Sequence, residues 1–119
     1  MGRGCGAAVD RRRTVVRRGE VWWVDDPDAG RRPHLVLARD AAVLVLNALI
    51  AVPATRTMRG LPTEVEIGPA DGMPDGCVLS LDNATLMPKA YFRERICTLG
   101  PEPMARVCRA LGIATGCGA

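Results

Sequence analysis

The chain has 119 residues, 48% of them hydrophobic and 24% charged, which fits one soluble globular domain and is too short for two. The longest apolar run, residues 41–54, is interrupted by Asn47 and Pro53, so no segment reads as a transmembrane helix; no stretch has the length and apolarity of a secretory h-region, so the expected compartment is the cytoplasm. The formal charge of +3 is unevenly placed, since residues 1–17 carry five Arg against Asp10 and leave residues 18–119 at a net −1. A nucleic-acid-binding body would therefore need a local basic cluster rather than bulk charge.

Residues 1–17, rich in Gly, Ala and Arg and without periodicity, read as a basic disordered arm ahead of a domain over 18–117. Glu20–Asp25 is β-branched and aromatic and predicts a first strand, closed by the turn residues Pro27, Asp28 and Gly30. Pro33–Ala38 predicts a second strand buried on both faces, with Pro33 confined to its start or to an edge. An Ala-rich connector or helical turn leads to a third strand, Leu46–Ala54, and a basic loop over 56–62. Strict alternation over Thr63–Ile67 predicts a half-exposed strand, and Cys77–Leu81 predicts the next, ended by Asp82 and Asn83. Leu86–Tyr91 reads as a short turn or helical turn and Arg93–Leu99 as a sixth strand. From Pro101, the residues Met104, Val107, Cys108 and Leu111 form one helical stripe, with Gly112 as its stop. Six short strands and a terminal helix make a mainly β fold, an SH3-like small barrel plus a helix.

Five cysteines at 5, 77, 97, 108 and 117 include no C-x-x-C pair, and the chain has a single His, so neither a zinc site nor a disulfide scaffold is expected. No metal ligands and no cofactor are predicted. Two side chains stand out instead. Arg32 lies at the start of the second strand and Thr55 just past the third, so both can meet at one barrel rim. A guanidinium fork and a hydroxyl suit a phosphodiester.

The order of motifs carries more. Arg18-Gly19-Glu20-Val21-Trp22, Arg32-Pro33 before aliphatics, Val52-Pro53-Ala54-Thr55, Leu61-Pro62-Thr63-Glu64-Val65, and Val78-Leu79-Ser80-Leu81-Asp82-Asn83 follow one another at the spacing of a known family. The chain resembles the MazF/PemK toxin endoribonucleases over residues 18–117. The resemblance implies a small barrel of the CcdB/PemK/MazF type. It implies the toxin of a type II toxin–antitoxin pair, a metal-independent enzyme that cuts single-stranded RNA at a short sequence. A homodimer with its groove near the subunit interface, and a cognate MazE-like antitoxin that blocks the groove, are implied with it. The family's catalytic Arg and Thr fall on Arg32 and Thr55.

Proton transfer is the open part of this reading. Arg stays protonated and a Thr hydroxyl is a poor base. The family's first loop is usually longer and often bears a Glu before the Arg, whereas the loop over 25–31 here is short and has none. Asp28 is the nearby carboxylate, read either as a base or as a turn cap. His34 is the side chain with an ordinary pKa near neutrality and shares a strand face with Arg32, read either as acid/base or as a packed strand residue. Arg31, Arg56 and Arg59 flank the groove as candidate phosphate contacts, and Asp82 and Asn83 as base-edge readers or an end-of-strand turn. The alternatives are a non-catalytic CcdB-like gyrase poison and an RNA-binding barrel without cleavage.

Overall fold

The computed structural model describes residues 15–118. The proposed arm at residues 1–14 lies outside them. The folded body reaches back at least to Val16, which is fully buried, so residues 16 and 17 belong to it rather than to an arm. The Arg17 N–H donates to the Glu20 carboxylate at 2.8 Å and fixes the chain's entry into the first strand.

Seven antiparallel strands follow: β1 (Glu20–Asp26), β2 (Gly30–Val36), β3 (Ala48–Thr55), β4 (Glu64–Ile67), β5 (Cys77–Ser80), β6 (Thr85–Pro88) and β7 (Phe92–Thr98). The short helix α1 (Asp40–Val45) joins β2 to β3, and α2 (Pro101–Thr115) ends the fold. The sheet runs in the order β4-β5-β3-β2-β1-β7. Its long strand β3 holds β2 on one edge; the other edge is shared, with β6 along Ala48–Ala51 and β5 at Ala54 and Thr55. The end strands β4 and β7 are not joined, so the expected small barrel is a curled half-barrel.

Two apolar clusters fill the two faces of the curl. Val21, Leu35, Val52, Ala54 and Leu79 pack under α2 through Val107 and Ala110. Trp22, Val24, Val36, Leu49, Ala51, Met87 and Phe92 form the second cluster, which also takes Val16. Successive residues of β1 divide between the faces, as the two-residue period of a strand requires.

Four sequence expectations shift. Of the segment Leu86–Tyr91, read as a short turn or helical turn, Lys89–Tyr91 forms a helical turn but Leu86–Pro88 belong to β6, because Leu86 and Met87 pair with Ile50 and Leu49. The strand β2 begins at Gly30 rather than Pro33. Its ladder to β3 starts only at His34, so the missing N–H of Pro33 breaks no bond on that side. Helix α2 runs through Gly112 and ends at Thr115, with Gly116 in the left-handed region at φ +75° as its terminating residue. Its packed stripe is Met104, Val107, Ala110, Leu111 and Ala114, whereas Cys108 is exposed and receives a hydrogen bond from Arg18.

Candidate functional site

At the end of the curl where β2 and β3 separate, a cleft of about 510 Å³ opens on the same side as the first apolar cluster. Its walls come from β1 (Trp23), β2 (Arg31, Arg32, Pro33), the end of β3 (Ala54, Thr55, Arg56) and the segment entering β5 (Met73, Pro74, Asp75, Gly76, Cys77). Hydrogen bonding between β2 and β3 pairs Val36 with Ala51, Leu35 with Val52 and His34 with Pro53. Carried two residues further toward the strand ends, this register sets Arg32 opposite Thr55. The two residues singled out in the sequence thus face one cleft.

The lining holds three guanidinium groups, Arg31, Arg32 and Arg56, against one carboxylate, Asp75. A body with no net positive charge carries its basic excess here, where a polyanion would need it. Arg31 stacks on the Trp23 ring, 4.7 Å from its centroid, and leans on Asp25 at 3.5 Å and Glu94 at 3.8 Å. These are exposed ion pairs of at most about 1 kcal/mol, so the guanidinium plane is held in orientation without being consumed. Among the described residues no carboxylate pairs with Arg32. Arg56 pairs with Asp75 at 3.2 Å across the cleft.

The Thr55 hydroxyl oxygen accepts the N–H of Thr57 at 3.2 Å. That bond occupies an acceptor position of the oxygen and leaves its proton free to donate. Thr55 is therefore poised as a donor to an anionic oxygen.

The other sequence candidates lie elsewhere. His34 is buried, and its Nδ1–H donates to the Arg32 carbonyl oxygen at 3.2 Å. Burial depresses its pKa below the ordinary 6.5, with the Arg32 charge adding to the depression and the backbone bond opposing it. It supports the backbone of Arg32 and is not part of the cleft lining. Asp28 is exposed at the tip of the first turn and is not in the lining either. The cap of that turn is Asp26, whose carboxylate accepts the Asp28 N–H at 2.9 Å. Arg59 is exposed and outside the cleft; its N–H and that of Leu61 donate to Glu64, which folds the loop onto β4. Asp82 accepts the Thr63 hydroxyl at 2.5 Å, and the Asn83 amide donates to Ser80 at 2.9 Å, so these two close the turn after β5 away from the cleft. Glu20 is buried and accepts from the Trp22 indole at 2.9 Å, from the Arg17 N–H and from Arg95 at 3.3 Å.

Sequence reasoning missed Trp23 and Asp75 as lining residues. The Trp22-Trp23 pair had to split between two faces, but nothing in the sequence said which face held the cleft. Asp75 sits in a Gly- and Pro-rich turn, where an Asp ordinarily reads as turn chemistry. Cys77 also lines the cleft. Its thiol pKa is raised chiefly by burial, a rise that Arg56 opposes, so it stays protonated at neutral pH.

A curled antiparallel half-barrel with a terminal helix and a basic, hydroxyl-bearing cleft at one end defines a class of small phosphodiester-directed proteins. Residues 17–115 match the family described as the PemK-like, MazF-like toxin of type II toxin–antitoxin systems, and the chain belongs to that family. It is 40% identical over 103 residues to the "Probable endoribonuclease MazF2" of Mycobacterium tuberculosis, covering 86% of this chain and all of that one. It is 39% identical over 101 residues to the "Probable endoribonuclease MazF5" of the same organism, covering 84% and 93%. Among solved structures, a mycobacterial endoribonuclease in complex with its cognate antitoxin superposes with a TM-score of 0.77 at 28% identity, covering 85% and 95%. A MazE–MazF complex from Deinococcus radiodurans gives 0.73 at 27% identity, covering 86% and 96%.

Proposed function

We propose that this protein is a toxin endoribonuclease that cleaves single-stranded RNA at the cleft between β2 and β3, with Arg32 and Thr55 as its catalytic pair. The observation that carries this reading is that Arg32 and Thr55 line one basic cleft, in a chain whose relatives are named endoribonucleases.

RNA supplies its own nucleophile. The 2′-oxygen attacks the adjacent phosphorus, passes through a pentavalent phosphorane and expels the 5′-oxygen. The products are a 2′,3′-cyclic phosphate, or the 3′-phosphate on its hydrolysis, and a 5′-hydroxyl. The protein's task is to align the attacking oxygen and to stabilise the added negative charge. Arg32 offers two parallel N–H donors to the non-bridging oxygens, and the Thr55 hydroxyl offers a third donor. Arg31 and Arg56 bracket the pair and bind the phosphates on either side. The Arg31 guanidinium on Trp23 presents a flat cationic surface on which an unpaired base can stack. None of these steps calls for a metal ion, and we infer that cleavage is metal-independent.

The regulatory partner follows from the same site. A MazE-like antitoxin blocks RNA by covering the cleft, as a partly disordered acidic segment placed against Arg31, Arg32 and Arg56 would do. The chain also exposes apolar surface. Ile50 and Leu86 are cross-strand partners and both are at least half exposed, and Leu44 and Val45 of α1 are largely exposed. A patch of this kind marks an interaction surface, and we assign it to the homodimer contact. Among the described residues no helix is long and apolar enough to cross a membrane, and we place the toxin's action in the cytoplasm, where its RNA substrates are made.

The test is incubation with a long single-stranded RNA in EDTA, followed by end-group analysis. Fragments with 5′-hydroxyl ends support the reading. Intact RNA, or fragments with 5′-phosphate ends, contradicts it.

A further inference from the structure

The reaction needs a group to take the 2′ proton, and the residues named for it in the sequence are out of reach. His34 is buried with its Nδ1 spent on a backbone carbonyl, and Asp28 lies outside the lining. Among the described lining residues, Arg31, Arg32 and Arg56 remain protonated, and the Cys77 thiol has its pKa raised by burial. The one carboxylate in the cleft is Asp75.

Its position is set by the fold. Thr55 is the last residue of β3, and it pairs with Val78 of β5. Asp75 precedes Val78 by three residues, in the segment that delivers β5 to the cleft. Arg56, the residue after Thr55, reaches back to it at 3.2 Å. The ion pair therefore holds a carboxylate in the same cleft lining as Thr55 and Arg32. Exposed as it is, with 69% of its side-chain surface accessible, Asp75 can be approached by a ribose without any rearrangement of the core.

We propose that Asp75 is the general base of the cleavage reaction, an inference that rests on the ribonuclease reading above. One carboxylate oxygen accepts the 2′-hydroxyl proton as the O2′–P bond forms. The P–O5′ bond breaks with its electron pair on O5′, which takes a proton from solvent water in the open cleft. Asp75 then releases its proton to solvent, which restores the water balance and the carboxylate. Arg56 keeps the carboxylate turned toward the cleft and exchanges part of its contact for a substrate phosphate. The charged and titratable groups facing Asp75 are Arg56 at the end of β3, Arg31 and Arg32 on β2, and Cys77 on β5; Asp71, in the turn before it, lies close enough to Cys77 to act on its charge as Asp75 does. Asp75 thus supplies from the β5 side what the short first loop does not supply from the β2 side.

The experiment compares wild type, Asp75→Asn and Asp75→Glu on a long single-stranded RNA in EDTA. Single-turnover rates are measured across pH, and binding is measured with an oligonucleotide carrying a 2′-deoxy sugar at the mapped cleavage site. The expected result is a loss of about 10²–10³-fold in kcat for Asp75→Asn, with binding of the 2′-deoxy probe within about threefold of wild type. The wild-type rate falls on the acidic side, Asp75→Asn loses that acidic limb, and Asp75→Glu regains part of the rate together with the limb. An Asp75→Asn enzyme that keeps the acidic limb, or that loses only probe binding, overturns the base assignment while the ribonuclease reading stands. RNA left uncut by the wild type overturns both.

Discussion

Arg32 and Thr55 line the same cleft, two positions beyond the last β2–β3 pair, His34 with Pro53, where the register carried on would set a guanidinium opposite a hydroxyl. The β2–β3 ladder ends at His34, the residue after Pro33.

The state of the Thr55 hydroxyl gives a sharp prediction. Its oxygen accepts the Thr57 N–H, and its proton is free for the substrate. Thr55→Ser keeps both roles and should retain activity within about tenfold. Thr55→Val, which is nearly isosteric, should lose about 10²-fold or more in kcat, the scale of removing one donor to a developing oxyanion. Steady-state cleavage of a fluorogenic RNA measures the difference.

His34 predicts a pH dependence in stability rather than in catalysis. Unfolded, the imidazole titrates near 6.5; folded, burial moves it lower. Between those two values the unfolded chain binds a proton that the folded chain refuses, so stability falls as pH drops through 6.5 and levels off below the folded value. Urea titrations of wild type between pH 7.5 and pH 5, on either side of the unfolded pKa, should show this slope, and His34→Gln should lose it. The pH–rate profile of His34→Gln should keep the wild-type shape.

Glu20 anchors the N-terminal entry of the fold. Its buried carboxylate accepts from the Trp22 indole, from the Arg17 N–H and from Arg95. Glu20→Ala leaves an indole N–H and a backbone N–H without acceptors and should cost about 2–3 kcal/mol in chemical denaturation. Apart from Trp23, three residues along β1, the cleft residues lie on other segments, so the folded fraction should cleave RNA at close to the wild-type rate.

The exposed patch around Ile50 and Leu86 predicts the oligomeric state. Leu86→Glu places a charge at the centre of the patch, opposite Ile50. Sedimentation should show a dimer for wild type and a monomer for Leu86→Glu, with circular dichroism unchanged.

Much of the fold was legible from periodicity. The strands at Glu20–Asp26, Glu64–Ile67 and Cys77–Ser80 and the terminal helix fall close to their expected places because their side chains alternate or recur as those structures require. The strand β6 was hidden because Thr85–Pro88 is four residues long and bounded by turn-forming neighbours; what makes it a strand is pairing with Ala48–Ala51, distant in sequence. Gly112 gave a false helix stop, since packing by Leu111 and Ala114 carries α2 past it. In the site, Arg32 and Thr55 were legible because each lies within two residues of a proline, near the end of an apolar run. Asp75 was not, because its meaning depends on Arg56, 19 residues earlier, reaching across a cleft that only the folded sheet creates.

The central claim is that the Arg32–Thr55 pair performs the chemistry of RNA cleavage. Its most direct measurement is the single-turnover rate of Arg32→Ala against wild type on the same RNA in EDTA, with circular dichroism to confirm that both are folded. The account predicts a loss of at least about 10²-fold in the rate for Arg32→Ala, with 5′-hydroxyl ends on the wild-type fragments. A folded Arg32→Ala protein that cleaves at the wild-type rate would contradict it.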